Sequence, residues 1–330
     1  MLERDVLRAG VVGVGSMGEN HARVYDDLVS AELVGVHDVQ EDRAEAVAGT
    51  YGVPACSFSE LLTTADVVSV AVPTEHHYRT VRECIDAGTH VLVEKPFVSD
   101  PDRGRKLVEF ADQRGVTLQV GHIERFNPAV QELFGLLSDR EIVAIDAQRL
   151  GPPLDRNIDN SAVMDLMIHD IDVLLQLVDA PAEVTAAATR DGEYATATIQ
   201  AETGEIGRLT SSRVTEEKVR KLTVTTADCR IKVDYTDQSL EICRQSFPEH
   251  VNQDRNAHYR HENVVEKVMV EYREPLKAEL EAFLESVRNG DEPSVTGEDG
   301  IRAVEIARSI ENSATAPSSA ASDPVRSFPR

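Results

Sequence analysis

Three stretches carry residue types that can do redox and proton chemistry. In MDLMIHDIDVLLQLV, residues 164–178, Asp165, His169, Asp170 and Asp172 interrupt an otherwise apolar run. On a helix, Asp165 and His169 lie four apart and so share one face, one turn from each other. An imidazole beside a carboxylate can hold or accept a hydroxyl proton, with Asp165 orienting the ring or the substrate. Two blander uses compete. A metal site needs further ligands, and Asp170 and Asp172 point elsewhere by helical geometry, so no metal is expected. A satisfied core histidine is the ordinary fate of such a residue on a lone helix.

The second stretch, THVLVEKPFVSD at 89–100, puts Glu94, Lys95 and Pro96 where a buried strand ends. Ligands of open α/β sheets bind at that edge. A partly desolvated ammonium there, beside a positively charged cofactor, has a lowered pKa and can exchange a proton with a hydroxyl. A surface-turn lysine is the alternative. Pro96 fixes the turn and admits a cis bond.

The third is GVGSMG at 13–18. Gly13 permits a tight turn, Gly15 lets the backbone approach a pyrophosphate, and Gly18 lets helix and strand pack closely; Ser16 and Met17 complete the loop. Such a loop alone is a weak signal. Here it follows a strand and opens a helix, and Asp38 ends the next strand 20 residues beyond Gly18. A carboxylate there accepts from the ribose hydroxyls and repels a 2′-phosphate. Val39 and Gln40 bring no cation, so NAD is expected over NADP, although Arg43 is within reach of a 2′-phosphate.

The elements that must position these groups are legible in outline. Residues 8–121 alternate β-rich apolar runs (RAGVVGV, ELVGVHD, DVVSVAV, THVLVEK, VTLQVG) with helical segments near 17–29, 41–51, 76–88 and 100–114. That is a βαβ series, hence a doubly wound parallel sheet of the Rossmann kind. Beyond 121 the pattern becomes α+β. A helix at 162–178 precedes strands near 183–190, 194–201, 205–215, 219–227, 229–235 and 238–243, spaced for a large, mostly antiparallel open sheet. Helices at 275–289 and 298–314 close that second domain. The expected domains are 1–121 for NAD, 122–314 for substrate and oligomerisation, and a disordered tail at 315–330. HYRH at 258–261 has a ligand-like spacing but sits in a polar segment that reads as surface loop.

Taken together, GVGSMG, VPTEHH at 72–77, EKP at 94–96 and DLMIHDID at 165–172 resemble the Gfo/Idh/MocA family of NAD(P)-dependent oxidoreductases over residues 7–314. The resemblance implies a dehydrogenase acting on a CH–OH group of a sugar, sugar nucleotide or cyclitol, and a homo-oligomer, dimer or tetramer, assembled through the second domain's sheet. It implies that Lys95 and His169 share the proton transfer, with Asp165 beside them. It places Pro73, Thr74, His77 and Glu94 against the cofactor. VGHIERFNP at 120–128 leaves the last parallel strand and lines the cleft, which makes His122, Arg125 and Asn127 substrate candidates. With DLMIHDID it resembles the branch that oxidises the 3-hydroxyl of UDP-N-acetylglucosamine-type sugars. Arg149 or Arg156 would meet the diphosphate. The alternatives are a glucose- or myo-inositol-type dehydrogenase and a non-catalytic NAD-binding regulator. One departure stands out: Ser161, in IDNSAVMD, occupies a position that is usually glycine in the resembling sequences.

Composition sets the limits. With 34 basic and 58 acidic residues the net charge is −24, and the acids are dispersed along the chain. Dispersion suits a surface adapted to high salt, which screens its self-repulsion, so a halophilic source is expected. The same charge argues against nucleic acid as a partner, since phosphate binding needs a basic face. Apolar runs are far too short for a membrane span, no signal peptide is evident, and Cys56, Cys84, Cys229 and Cys243 show no CxxC spacing. A cytoplasmic protein without membrane contact is expected.

Overall fold

The computed structural model describes residues 6–153, 160–178, 180–245, 249–251, 258–260 and 263–315. The first half forms β1 (Leu7–Val12), α1 (Ser16–Asp27), β2 (Ala31–His37), α2 (Glu41–Tyr51), α3 (Phe58–Thr64), β3 (Val67–Val70), α4 (Thr74–Asp86), β4 (His90–Glu94), α5 (Pro101–Arg114) and β5 (Leu118–Gly121). The strands pair in parallel in the order β2-β1-β3-β4-β5. The order reverses between β1 and β3, and the crevice outside the carboxyl ends of those strands is where this architecture binds ligands. All four residues of β3 are buried, as a strand covered on both faces requires. Gly52 and Gly115 adopt left-handed conformations that stop α2 and α5.

The second half contains α6 (Pro128–Leu137), β6 (Ile142–Leu150), α7 (Ile168–Leu177), β7 (Pro181–Ala188), β8 (Tyr194–Ala201), β9 (Ile206–Ser212), β10 (Val219–Thr226), β11 (Arg230–Asp234), β12 (Ser239–Gln245), β13 (Glu249–Val251), β14 (His258–Arg260), β15 (Asn263–Val268), α8 (Pro275–Asn289) and α9 (Gly297–Thr315). Eight of these strands form one sheet, β15-β12-β11-β10-β6-β9-β8-β7, antiparallel except for the β6–β9 pair. One face is covered by α6, α7 and α9, whose Leu133, Ile171, Leu174, Val304 and Ile310 share a core with Ile145, Leu209, Leu222 and Ile231. The other face is open. In β8 the alternation is strict, with Ala195, Ala197 and Ile199 buried and Thr196, Thr198 and Gln200 exposed. No helix among the described residues is long and apolar enough to cross a membrane.

Three features differ from the sequence expectation. The short helices α3 and α6 and the central strand β6 stand outside the expected elements. The helix expected to close the second domain at 275–289 turns its apolar face to the first sheet instead: Leu276, Leu280, Phe283, Leu284 and Val287 pack with Leu7, Val11, Tyr25 and Leu33. That sheet exposes an apolar face which its own crossover helices leave uncovered, and α8 buries it. Residues 258–260, expected as loop, pair with 249–251 in a small hairpin. Of the tail expected at 315–330, Thr315 is the last residue of α9; residues 316–330, like Arg156, lie outside the described residues.

Candidate active site

The phosphate loop runs from β1 into α1. Gly13 has φ +85°, and a Cβ on it would lie 2.8 Å from the Val72 side chain. A Cβ on Gly18 would sit 1.8 Å from the Gly13 carbonyl oxygen. Both glycines are therefore demanded by the fold itself. Gly15 is different. A Cβ there would meet only the Arg43 guanidinium, at 4.0 Å, and no side chain caps the helix that starts at Ser16. The amides of that first turn are thus open to an anion. Asp38, at the end of β2, accepts from the Val14 and Gln40 amides at 2.9 Å each and stands 3.7 Å from Arg43. It fixes the loop and sets a carboxylate beside it. Val72, whose side chain crowds Gly13, leads through Pro73 into α4 at Thr74, and Ser16 and Met17 open α1. These residues fit a dinucleotide. Gly15→Ala is accordingly expected to keep the melting temperature while weakening NAD binding by about tenfold or more, roughly 1.4 kcal/mol, measured by calorimetry.

His77, expected against the cofactor, is used otherwise. Its ring nitrogens face the carbonyl oxygens of Val72 (2.8 Å), Pro96 (3.0 Å) and Phe97 (3.2 Å), and it is buried. It ties the β3–α4 connection to the turn after Lys95, whose bond to Pro96 is cis. Glu94 likewise faces inward. Its carboxylate accepts from the Lys95 amide at 3.2 Å and pairs with His21 at 2.9 Å, and His21 reaches Ser69 at 2.9 Å. Burial works to raise the Glu94 carboxyl, but His21 and Lys95 outweigh it and hold the group below its ordinary value. Nearby, both carboxyl oxygens of Glu279 lack a partner among the described residues; burial, then the Glu94 and Asp172 charges, push that acid well up. His21 lies three residues past Gly18, and only its period on the buried face of α1 could have singled it out.

Lys95 projects from the end of β4 to the 163–177 helix. Its ammonium donates to the Asp165 carbonyl at 2.7 Å and to Asp165 Oδ1 at 3.1 Å. Residues 163–167 form a π-helical turn ahead of α7, so the α-helical register assumed for Asp165 and His169 does not hold there. Asp165 is drawn to Lys95 on one side and to Arg213, 3.6 Å away, on the other. Ser161 caps this turn: its hydroxyl accepts from the Met164 amide and donates to Glu311. His169 Nδ1 and both ring nitrogens of His122 are buried with no partner among the described residues. Burial lowers the His169 pKa well below its ordinary value, and the positive charges of Lys95, Arg149 and Arg220 lower it further. His169 is therefore neutral at physiological pH.

The remaining acids of the helix explain themselves. Asp170 takes a two-pronged ion pair from Arg149 (2.9 and 3.0 Å), and Asp172 takes one from Arg125 (2.8 and 2.6 Å). Arg125 and Arg149, both buried, are thereby committed to protein carboxylates, Arg149 also to Glu124 at 2.8 Å and Arg125 to Asp299 at 3.2 Å. Asn127 caps α6 through the Ala129 amide and donates to the Tyr235 carbonyl. Of the expected cleft residues, His122 alone combines burial with unpaired nitrogens beside Lys95 and His169. Arg213, which faces Asp165 from just beyond β9, and Glu193, which pairs with Arg213 from the turn before β8, carried no sequence signal.

Comparison with known proteins agrees with this geometry. Residues 7–122 match the NAD-binding Rossmann fold of the Gfo/Idh/MocA oxidoreductase family, and residues 154–318 match its C-terminal alpha/beta domain. UDP-N-acetylglucosamine 3-dehydrogenase of Acidithiobacillus ferrooxidans is 36% identical over 244 residues, 72% of this chain and 76% of that protein. A solved structure of UDP-N-acetylglucosamine 3-dehydrogenase from the same organism superposes with a TM-score of 0.84 at 31% identity, covering 93% of this chain and 97% of the other. Inositol 2-dehydrogenase of Rhizobium meliloti is 27% identical over 320 residues, 91% of this chain and 94% of that protein. The chain belongs to the Gfo/Idh/MocA oxidoreductase family and carries that family's NAD-binding domain.

Proposed function

We propose that this protein oxidises the 3-hydroxyl of a UDP-N-acetylglucosamine-type sugar nucleotide to a 3-keto sugar, with NAD as acceptor. The observation that carries a dehydrogenase is the Lys95–Asp165 contact beside neutral His169, at the carboxyl end of β4, whose Glu94 pairs with His21 of the helix that follows the phosphate loop. The substrate class rests on likeness to the 3-dehydrogenase.

Bound NAD supplies the hydride acceptor at its nicotinamide C4. Two of the three Lys95 ammonium protons go to Asp165, and the third is free to hold the substrate hydroxyl oxygen. His169, uncharged, has a nitrogen lone pair to take the hydroxyl proton, so Lys95 stabilises the developing oxyanion and His169 is the base. His122 faces the same space and positions the sugar. A regulator that only bound NAD would have no use for an ammonium held to an aspartate in this cleft.

A cyclitol is the second reading, favoured by the likeness to inositol 2-dehydrogenase over nearly the whole chain. NAD reduction at 340 nm (roughly the usual nicotinamide readout) with UDP-N-acetylglucosamine, glucose and myo-inositol in potassium chloride separates them. Turnover of the sugar nucleotide at a kcat/KM about a hundredfold above the other two is expected, an extended substrate offering more binding energy to the transition state. Preference for myo-inositol would sink the sugar-nucleotide reading.

We read the open face of the eight-stranded sheet as the seat of a second copy, as in a dimer or tetramer. Its exposed Val143, Ile206 and Val265 among polar neighbours support that reading. Four free cysteines suit a reducing cytoplasm.

A further inference from the structure

Among the described residues, arginines crowd the cleft side of the second sheet, and of Arg125, Arg149, Arg213 and Arg220 only the last lacks an acid. Arg125 pairs with Asp172, Arg149 with Asp170 and Glu124, and Arg213 with Glu193. Arg220 differs. It sits on β10 directly opposite Arg149 of β6, on the same face as buried Leu222 and Val224, so its side chain leaves the sheet on the cleft side. Its Nη1 donates only to main-chain carbonyls, those of Leu150 and of Val219 (2.8 Å), and among the described residues no carboxylate pairs with it. A Cβ on Gly151 would lie 3.7 Å from its Nη2, so the guanidinium rests on a residue with no side chain. It lies opposite Arg149, whose partner Asp170 follows His169 in the chain, so the guanidinium belongs to the His169 end of α7.

A half-buried cation without an anion is costly, and in a chain of net charge −24 an acid to pair it would be easy to find. We infer that Arg220, with Gly151 beneath it, is an anion subsite that receives the diphosphate of the nucleotide sugar. The fork of a guanidinium matches two phosphate oxygens, and glycine at 151 leaves the backbone open to close approach. Arg149, a candidate for this task from the sequence, is already taken by two carboxylates, and Arg220 stands beside it with donors to spare. Burial and the Arg149 charge both act against the Arg220 cation, and a bound diphosphate relieves them. The inference rests on the sugar-nucleotide reading, but its test does not need turnover.

The test is calorimetric binding of UDP to the NAD-loaded protein at one fixed potassium chloride concentration. Arg220→Gln is expected to weaken UDP by about 30-fold, the scale of one charge-assisted contact. Arg220→Lys, which keeps the charge without the fork, is expected to fall between. Arg114→Gln makes the same change in net charge on an exposed residue at the end of α5 and is expected to bind UDP as the wild type does. With UDP-N-acetylglucosamine, Arg220→Gln should raise KM for the sugar and leave KM for NAD unchanged. Equal UDP affinity in wild type and both Arg220 variants, or no UDP binding by the wild type, would overturn the subsite. UDP binding that depends on Arg220, without turnover of the sugar nucleotide, would keep the subsite and sink the 3-hydroxyl reading. Should Arg220→Gln fail to fold, Arg220→Lys decides alone: wild-type affinity for UDP, and unchanged KM for the sugar nucleotide, would count against the proposal.

Discussion

Lys95→Met is expected to lower kcat by about 10²–10⁴-fold while leaving NAD affinity within about threefold of wild type. The lysine's ammonium is held by the Asp165 carbonyl and carboxylate, and among the described residues it hydrogen-bonds to none of the phosphate loop. Its loss removes the donor to the substrate oxygen and leaves Asp165 facing only Arg213 at 3.6 Å. A second readout separates this role from a merely structural one. After burial, the Lys95 charge heads the causes that hold the His169 pKa down. In the wild type the acid limb of kcat/KM for oxidation therefore lies below the ordinary imidazole value, because His169 stays neutral and able to accept a proton until the pH falls that far. In Lys95→Met the residual activity should show this limb displaced to higher pH. In His169→Asn the limb should vanish. Retention of activity within tenfold (about 1.4 kcal/mol), or a limb that stays in place when Lys95 is removed, would count against the division of labour between the two residues.

The parts of the site that lie within one element or at one turn were legible in the chain. GVGSMG between a strand and a helix announces a phosphate loop because each glycine answers a local steric demand, and Asp38 follows at the distance one βαβ unit sets. Lys95 is legible for the same reason: a charge at the end of a buried strand has no packing use. What the chain could not show is who meets whom across elements. Asp165 was read as a partner for His169, four residues on; the π turn and the lysine from β4 redirect it. Arg125 and Asn127 looked available because their partners, Asp172, Asp299 and Tyr235, are 47 to 174 residues away. His77 looked like a ligand contact because nothing local says that three carbonyls surround it.

The strand β6 was lost for a related reason. Its inward positions are Ile145, Ala147 and Arg149, a branched residue, a small one and a charge, and its outward positions include Val143. Alternation of apolar and polar residues is the signal for a half-buried strand, and a buried ion pair erases it. The same substitution of charge for hydrocarbon made the 164–178 helix look overfull of acids. The two anomalies are halves of one feature, since Arg149 on β6 and Asp170 on α7 neutralise each other.

That pair carries the second large expectation. Asp170→Ala is expected to destabilise the protein by about 3–5 kcal/mol, read as a lower urea midpoint with an unchanged slope. Asp170 and Arg149 are 2% and 4% exposed, so removing the acid strands a guanidinium that Glu124 alone must balance. The double variant Arg149→Met with Asp170→Leu should recover most of the loss, because desolvation of the two charges offsets much of their attraction. Glu124 keeps a partial outlet to solvent and its bond to Asn127 in that variant. Stability recovered is not function recovered, however. Arg149 is among the charges that keep His169 neutral, so the double variant should fold normally and show its acid limb at higher pH. A double variant as stable as the wild type with an unmoved limb would mean that the pair only supports the fold. A moved limb would mean that the fold holds this buried cation where it also sets the protonation state of the catalytic histidine.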